Sequence, residues 1–363
     1  MNKIKFILLI FIYLLLLYIC YTFNNENDFE NYNFFNRIES KVNKITNKNL
    51  KIKRNSHTYT EYYYDKKSII ELHDIKKKNV TYQKEVFKKI NDKLRKNNIN
   101  FLFLESPKKE LFYSDVLNKY NYKIDYDSYN ELYSFFSANS IDYIDTNKII
   151  KKINKNRYQL FYNSDYHWTT NTAYLYTKYL TNYINKHYHY NLNEMALDED
   201  NFIKLKYKNM YYGYNQRVFN IDNTGDDITY YLVKRDYKCQ AIYSDKRYSG
   251  NYNDILFQNV KGIKPTYFNK SIMYQKILYG ITDYREIQNF DIDNDLRILV
   301  LGDSNFNAMG TFIPLLFKNT DIIDIRTYKG SLDSYINSKR PNLVLYFIDT
   351  DSMPIHTLDK LFK

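Results

Sequence analysis

An α/β fold around a parallel, covered sheet is predicted by two stretches in which helix and strand alternate. In the first, Val86, Phe87, Ile90 and Leu94 recur at helical spacing and lead into the apolar run 101–104; Tyr129, Leu132, Phe135 and Phe136 then mark a second helix ahead of 141–144. In the second, from residue 296, strand 298–301, helix near 307–318, strand 322–326, helix 332–339 and strand 343–348 form a βαβαβ block. Helix alternating with short apolar strand is the pattern of a parallel sheet covered by helices.

Between these stretches the reading changes twice. Leu175, Tyr176, Tyr179, Leu180, Tyr183 and Ile184 make one apolar helix face, and Thr169 or Thr170 is suited to cap its start, so the preceding residues fall on a loop. From about 190 to 295 the alternation lapses into Tyr-rich polar sequence with strand candidates such as 228–233, which reads as a β-rich insertion or a lid.

In the N-terminal residues 4–23 the run after Lys5 contains no charge and is dominated by Ile, Leu, Phe and Tyr. Twenty helical residues span about 30 Å, the thickness of a bilayer's hydrocarbon core. Lys3 and Lys5 precede this run, and Glu26, Asp28 and Glu30 follow it, so the positive-inside rule puts the N-terminus in the cytoplasm and the rest outside. A cleaved signal peptide is the competing reading; the length of the run, and the lack of an Ala-x-Ala-like site after it, favour an uncleaved anchor. The expected layout is therefore an anchor over 1–23, a juxtamembrane spacer over 24–78, and an α/β domain over 79–363 with its insertion at about 190–295.

The net charge of +12 is spread among Asn, Ile and Tyr, with no compact basic stripe, so no nucleic-acid partner is expected. Biased codon usage accounts for the charge equally well, and an exported domain would meet an anionic surface. Two cysteines occur, and Cys20 lies in the anchor, which leaves Cys239 without a soluble partner and excludes a disulfide framework or a Cys-based metal site. His187-x-His189 reads as a solvated helix end; no metal and no cofactor is expected.

Two stretches carry chemistry. The run 297–301 stops at Gly302-Asp303-Ser304-Asn305, where a tight turn would leave the Ser304 hydroxyl at a strand's carboxyl end, the edge at which open α/β sheets bind ligands. Asp165-Tyr166-His167-Trp168 holds the single Trp of the chain. A serine hydroxyl needs a base to take its proton, an imidazole suits that role, and a carboxylate fixes its tautomer. Ser304, His167 and Asp165 supply these parts, and geometry rather than chain order defines such a triad. The plainer reading is a helix cap at Ser304, a loop turn at Asp165 and a core Trp.

These motifs resemble a known family. Gly302-Asp303-Ser304 resembles the Gly-Asp-Ser block of SGNH (GDSL-like) hydrolases, and Asp165-Tyr166-His167-Trp168 resembles the Asp-x-His-Trp motif of the SGNH-like alginate O-acetylation proteins and the related DHHW family, in which it likewise precedes the Ser. Phe103-Leu104-Glu105-Ser106-Pro107-Lys108-Lys109 is similar to their strand-Pro-x-Lys segment. Tyr211-Tyr212-Gly213-Tyr214 with Asp227-Ile228-Thr229-Tyr230-Tyr231 is similar to their middle region, and Ile323-Asp324-Ile325-Arg326-Thr327-Tyr328 to their Asp-x-Arg-Tyr segment. The sequence departs from the pattern at Tyr166, where the DHHW family has His and the alginate type Thr, and in lacking a match to the Gly and Asn blocks that supply oxyanion donors.

The resemblance implies a flavodoxin-like three-layer α/β/α fold, export, and acyl-ester chemistry on a cell-surface polysaccharide beside a membrane-bound acyl-donor protein. Ser304 would attack the acyl carbonyl, His167 would act as base and then acid, and Asp165 would orient His167. The Ser304 N–H is the default oxyanion donor. Arg326 reads as a contact to a sugar or anionic substrate, or as a surface ion pair. Asn305 and Asn307 read as oxyanion donors or as the start of the next helix, and Lys108 as a further substrate contact. The function expected is a membrane-anchored, extracytoplasmic O-acyltransferase; the alternatives are an esterase with the same triad and a non-catalytic glycan-binding or assembly protein.

Overall fold

Which strand neighbours which determines where the catalytic candidates fall. The computed structural model describes residues 50–54, 59–64, 68–72, 79–117, 127–219, 225–280, 282–348 and 355–362. The apolar stretch 4–23 lies outside the described residues, and among these no helix is long and apolar enough to cross a membrane.

In chain order the strands are β1 (Leu50–Arg54), β2 (Tyr59–Tyr64), β3 (Ile69–Leu72), β4 (Asn100–Glu105), β5 (Asp142–Ile144), β6 (Phe202–Tyr211), β7 (Asp226–Val233), β8 (Lys238–Tyr243), β9 (Lys246–Asn251), β10 (Tyr284–Asn289), β11 (Arg297–Gly302), β12 (Asn319–Ile323) and β13 (Leu343–Ile348). The helices used below are α1 (Thr81–Lys96), α2 (Asp127–Ala138), α3 (Thr146–Ile153), α4 (Thr170–Tyr188), α5 (Tyr214–Phe219), α6 (Phe306–Gly310), α7 (Leu332–Lys339) and α8 (Ile355–Leu361). The fold is mixed α/β with a large central sheet of order β5-β4-β13-β11-β12-β10-β8-β9.

The pairings from β5 through to β12 are parallel, and those from β12 out to β9 antiparallel. Counted from β11 as the first strand and continued through the chain's start, the parallel part runs β12-β11-β13-β4-β5, which is the order 2-1-3-4-5 of flavodoxin-like sheets. The chain is thus a circular permutation of that order. The permutation explains why the Asp-x-His stretch precedes the Ser, since the strand that carries the Ser comes late in the chain.

Alternate residues of each central strand enter different cores. Ile298, Val300, Leu345 and Phe347 pack with Ala173, Tyr176 and Leu180 of α4 and with Phe306 and Met309 of α6. Leu299, Leu301, Val344 and Tyr346 pack on the opposite face with Phe87 and Ile90 of α1, Phe136 of α2, Ile336 of α7 and Leu358 of α8. A period of two along strands buried on both faces gives two cores and three layers.

Two expectations in the last block need correction. The helix near 307–318 is broken into α6 and a short 3-10 turn, Ile313–Leu315. Pro314 removes a donor there, and Gly310 packs so tightly that a β-carbon on it would lie 2.5 Å from Leu278 Cδ1. Strand 322–326 is β12, displaced towards the N-terminus. The displacement puts Thr320 and Asp321 inside the sheet, where Asp321 is buried and accepts from Arg297 Nη1 at 2.7 and 2.9 Å, a polar pairing that hides the strand from a search for apolar runs. Within 24–78, β1, β2 and β3 form an antiparallel sheet, and in the 190–295 segment β6 and β7 form a hairpin while β8, β9 and β10 extend the central sheet.

Candidate active site

The place of the candidate nucleophile, Ser304, follows from the strand order. β11 lies between β12 and β13, and β13 leads to β4, so β11 and β13 flank the switch point at which flavodoxin-like sheets hold ligands beyond their carboxyl ends. The chain leaves β11 at Gly302 and turns at once. Asp303 Oδ1 accepts the Asn305 N–H at 2.8 Å, an Asx turn, and Asp303 O accepts the Phe306 N–H at 3.0 Å. Ser304 stands half-buried on this turn. Among the described residues no group accepts its backbone N–H, which leaves that donor for a developing oxyanion.

The loop before α4 comes to meet it. Tyr162 N donates to His167 O at 3.1 Å and Thr169 N to Leu160 O at 2.9 Å, so the loop closes on itself, while the Thr169 hydroxyl accepts the Thr172 N–H at 3.2 Å and caps α4. His167 Nε2 then lies 3.0 Å from Ser304 Oγ, and His167 Nδ1 lies 2.8 Å from Asp165 Oδ2. The three sequence-predicted triad residues are brought together in the order nucleophile, base, carboxylate.

Asp165 is fully buried, yet it carries a charge. Burial pushes its carboxyl up, but His167 beside it, the Tyr211 hydroxyl on Oδ2 and the Tyr166 N–H on Oδ1 at 2.8 Å outweigh that and hold it below the usual carboxylate range. An ionised carboxylate accepts from Nδ1–H, and this leaves the Nε2 lone pair facing the Ser304 hydroxyl, the arrangement general base catalysis requires.

Side chains from remote segments hold the loop. The buried Lys109 ammonium donates to the carbonyl oxygens of Ile69, Tyr162 and Asp165 at 2.7 to 2.8 Å and of Asn163 at 3.1 Å. The β6–β7 hairpin supplies the opposite grip. Its register shift between Tyr207 and Tyr211 sets Tyr211 opposite Asp226, so one strand end delivers the hydroxyl on Asp165 and the other a carboxylate that accepts from Ser164 N at 2.7 Å, Ser164 Oγ at 2.5 Å and Asn163 N at 2.9 Å. Gly213 sits against the loop, where a β-carbon would lie 2.4 Å from Asp165 Cβ. Trp168 Nε1 donates to Asn305 O at 2.8 Å and joins the Asp165–His167 loop to the Ser304 turn directly.

The other candidates are placed as follows. Arg326 forks onto Asp324, with Nε to Oδ1 at 2.9 Å and Nη2 to Oδ2 at 2.6 Å; these bonds, more than its neighbours Asp303 and Tyr166, raise the guanidinium above its ordinary range. Arg326 therefore stands within electrostatic reach of the residue before Ser304. Asn305 is buried, its N–H donates to Asp303 and its carbonyl accepts from Trp168. Asn307 Nδ2 donates to Gly280 O at 3.2 Å. The Lys108 ammonium donates to the Tyr129 hydroxyl and its backbone N–H to Asn147 Oδ1 at 3.0 Å.

Sequence reasoning missed Lys109, Tyr211, Asp226 and Tyr274. Lys109 and Tyr211 lie inside stretches already singled out as motifs; the signal that would have marked them is a buried charge or phenol that must find a partner.

A serine at the switch point of a flavodoxin-order sheet, with histidine and aspartate in hydrogen-bond reach, is the arrangement that the resemblance to SGNH-type domains implies. Residues 63–230 match the family described as SGNH hydrolase-like domain, acetyltransferase AlgX, a span that includes Asp165 and His167 and ends before Ser304. Over that span the chain is similar to SGNH hydrolase-like domains. Bacillus cereus PatB1 with a sulfonyl adduct shares the fold at a TM-score of 0.65 and 19% identity, over 83% of this chain and 96% of that one. A DHHW family protein from Eubacterium siraeum does so at 0.63 and 14%, over 85% and 97%. No curated protein matches by sequence.

Proposed function

We propose that the chain is a membrane-anchored, extracytoplasmic serine O-acyltransferase that delivers an acetyl group to a hydroxyl of a cell-surface polysaccharide. The observation that carries this reading is the hydrogen-bonded line from Ser304 Oγ through His167 to buried Asp165, at 3.0 and 2.8 Å. The acetyltransferase-type domain match supports the reaction class. The stretch 4–23, free of charge after Lys5, with Lys on one side and Glu and Asp on the other, supports the anchor and its orientation.

In this reading Ser304 Oγ attacks the donor's acyl carbonyl as His167 Nε2 takes the hydroxyl proton. The oxyanion forms against the Ser304 N–H. Collapse breaks the bond to the donor's leaving group, which takes the proton from His167, and leaves an acyl-serine. A sugar hydroxyl then gives its proton to Nε2 and attacks the acyl-serine, so the sugar ester forms and Ser304 regains its proton. The donor is a membrane-bound acyl-carrying protein, the domain needs no metal or cofactor for these steps, and Arg326 at the rim steers an anionic or sugar group. Water in place of the sugar would make the same machinery an esterase.

The test is hydrolysis of a chromogenic acetyl ester by the full chain, with and without an oligosaccharide acceptor, beside Ser304→Ala. Activity lost in the variant, with product shifting from acetate to acetylated sugar when acceptor is added, is expected. Free acetate alone at saturating acceptor would favour the esterase; equal rates in wild type and variant would remove Ser304 from the reaction.

A further inference from the structure

Tyr274 touches both the nucleophile's backbone and the base's ring. It opens the short 3-10 turn Tyr274–Lys276 within the 190–295 segment and is 3% exposed. Its ring stacks on His167 with centroids 4.2 Å apart and 29° between planes, and Tyr166 stacks on His167 at 4.1 Å and 30°. Two rings at that separation cannot share one face, so the imidazole is sandwiched between them. The Tyr274 hydroxyl donates to Ser304 O at 3.0 Å, and the same carbonyl accepts the Asn307 N–H at 3.2 Å.

We propose that Tyr274 is a positioning residue of the triad, fixing the Ser304 turn through its hydroxyl and the plane of the His167 imidazole through its ring. The inference rests on the serine-acyltransferase reading above. An imidazole that serves two partners must keep one plane, because rotation that keeps Nδ1 near Asp165 swings Nε2 off Ser304 Oγ. Tyr166 is bonded in sequence to His167 and moves with the loop. Tyr274 comes from a different segment, and so ties the loop to the strand that carries the nucleophile. Burial, ahead of the nearby Tyr162 and Asp165, pushes its phenol well above the ordinary range, so the hydroxyl stays a donor. Stacked rings attract one another beyond the area they bury, and a displacement of about 1 Å at a reacting group costs on the order of 100-fold in rate.

Two variants separate the roles of hydroxyl and ring. Tyr274→Phe keeps the stack and loses the bond to Ser304 O; Tyr274→Leu loses both. The readouts are kcat and KM for an acetyl ester, the rate at which a sulfonyl fluoride labels Ser304, and the melting temperature, all on the detergent-solubilised full chain with Ser304→Ala as control. The expected result is a kcat about 10-fold lower in the Phe variant and about 100-fold lower in the Leu variant, with KM within about twofold, labelling rates falling in parallel, and little change in the melting temperature of the Phe variant. Wild-type kcat and labelling in the Phe variant, together with either wild-type values or loss of fold in the Leu variant, would reduce Tyr274 to core filling. If wild type and Ser304→Ala were alike in turnover and labelling, the triad reading itself would fail, a separate result.

Discussion

The two segments that carry the triad are held by different forces. Ser304 owes its place mainly to backbone, the register of β11 between β12 and β13 and the start of α6, with one side-chain bond each from Asp303 and Tyr274. His167 and Asp165 sit on a loop whose carbonyls are gathered by one ammonium and whose amides are gathered by one carboxylate, from parts of the chain far apart in sequence. A turn set mostly by strand register keeps its fold when a single side chain is lost, whereas a side-chain-built loop depends on each clamp. The Ser304 turn is therefore the robust half of the site and the Asp165–His167 loop the vulnerable half.

Substitutions in the clamps sharpen this contrast. The largest effect is expected at Lys109→Met, which removes the ammonium that gathers four carbonyls and the charge facing Asp226. Loss of about 3 kcal/mol of stability by chemical denaturation is predicted, with activity lost in step. An unchanged midpoint would mean that the loop holds its shape without the ammonium. Next is Gly213→Ala, whose new β-carbon must displace Asp165. Here kcat should fall about 100-fold with KM little changed, and kinetics at wild-type level would show that Asp165 has room to move.

Smaller again is Trp168→Phe, which keeps an aromatic ring but removes the bond to Asn305 O and part of the buried indole; a loss of about 2 kcal/mol in a thermal or denaturant melt is predicted. The smallest effect near neutrality comes from titrating Asp165. Its folded carboxyl lies below the unfolded value, so its contribution to stability is complete above the usual carboxylate value of about 4 and is lost as pH falls through and below it. The stability gap between wild type and Asp165→Asn should stay flat from about pH 7 to 5 and narrow only in stronger acid. A gap that narrows between pH 7 and 5 would place the carboxyl above its ordinary range.

The same contrast explains what the sequence makes legible. Apolar strands buried on both faces, and a Gly-Asp-Ser turn after one of them, are local patterns, and helix 332–339 and strand 343–348 are read to the residue. The Asp165-x-His167 pair is legible for the same reason, since both partners sit on one short loop. The clamps are long-range. Lys109 and its neighbour Lys108 look alike in the chain, and tertiary packing alone turns one towards the loop and the other towards Tyr129. β9 is an exposed polar strand, Lys246–Asn251, whose membership of the central sheet depends on pairing with β8 and leaves no apolar signature. Tyr274 lies in polar, Tyr-rich sequence that offers no period at all, and stacking on His167 is what distinguishes it from its neighbours.

The central claim is that Ser304 carries the acyl group between donor and acceptor. The most direct measurement is to mix the full chain with an activated acetyl ester, quench in acid within the first turnover, and map the modified peptide by mass spectrometry. One acetyl group on Ser304 is predicted, absent from Ser304→Ala and scarcely formed in His167→Ala. Turnover of the ester with no acetyl on Ser304, or at the same rate in Ser304→Ala, would contradict the account.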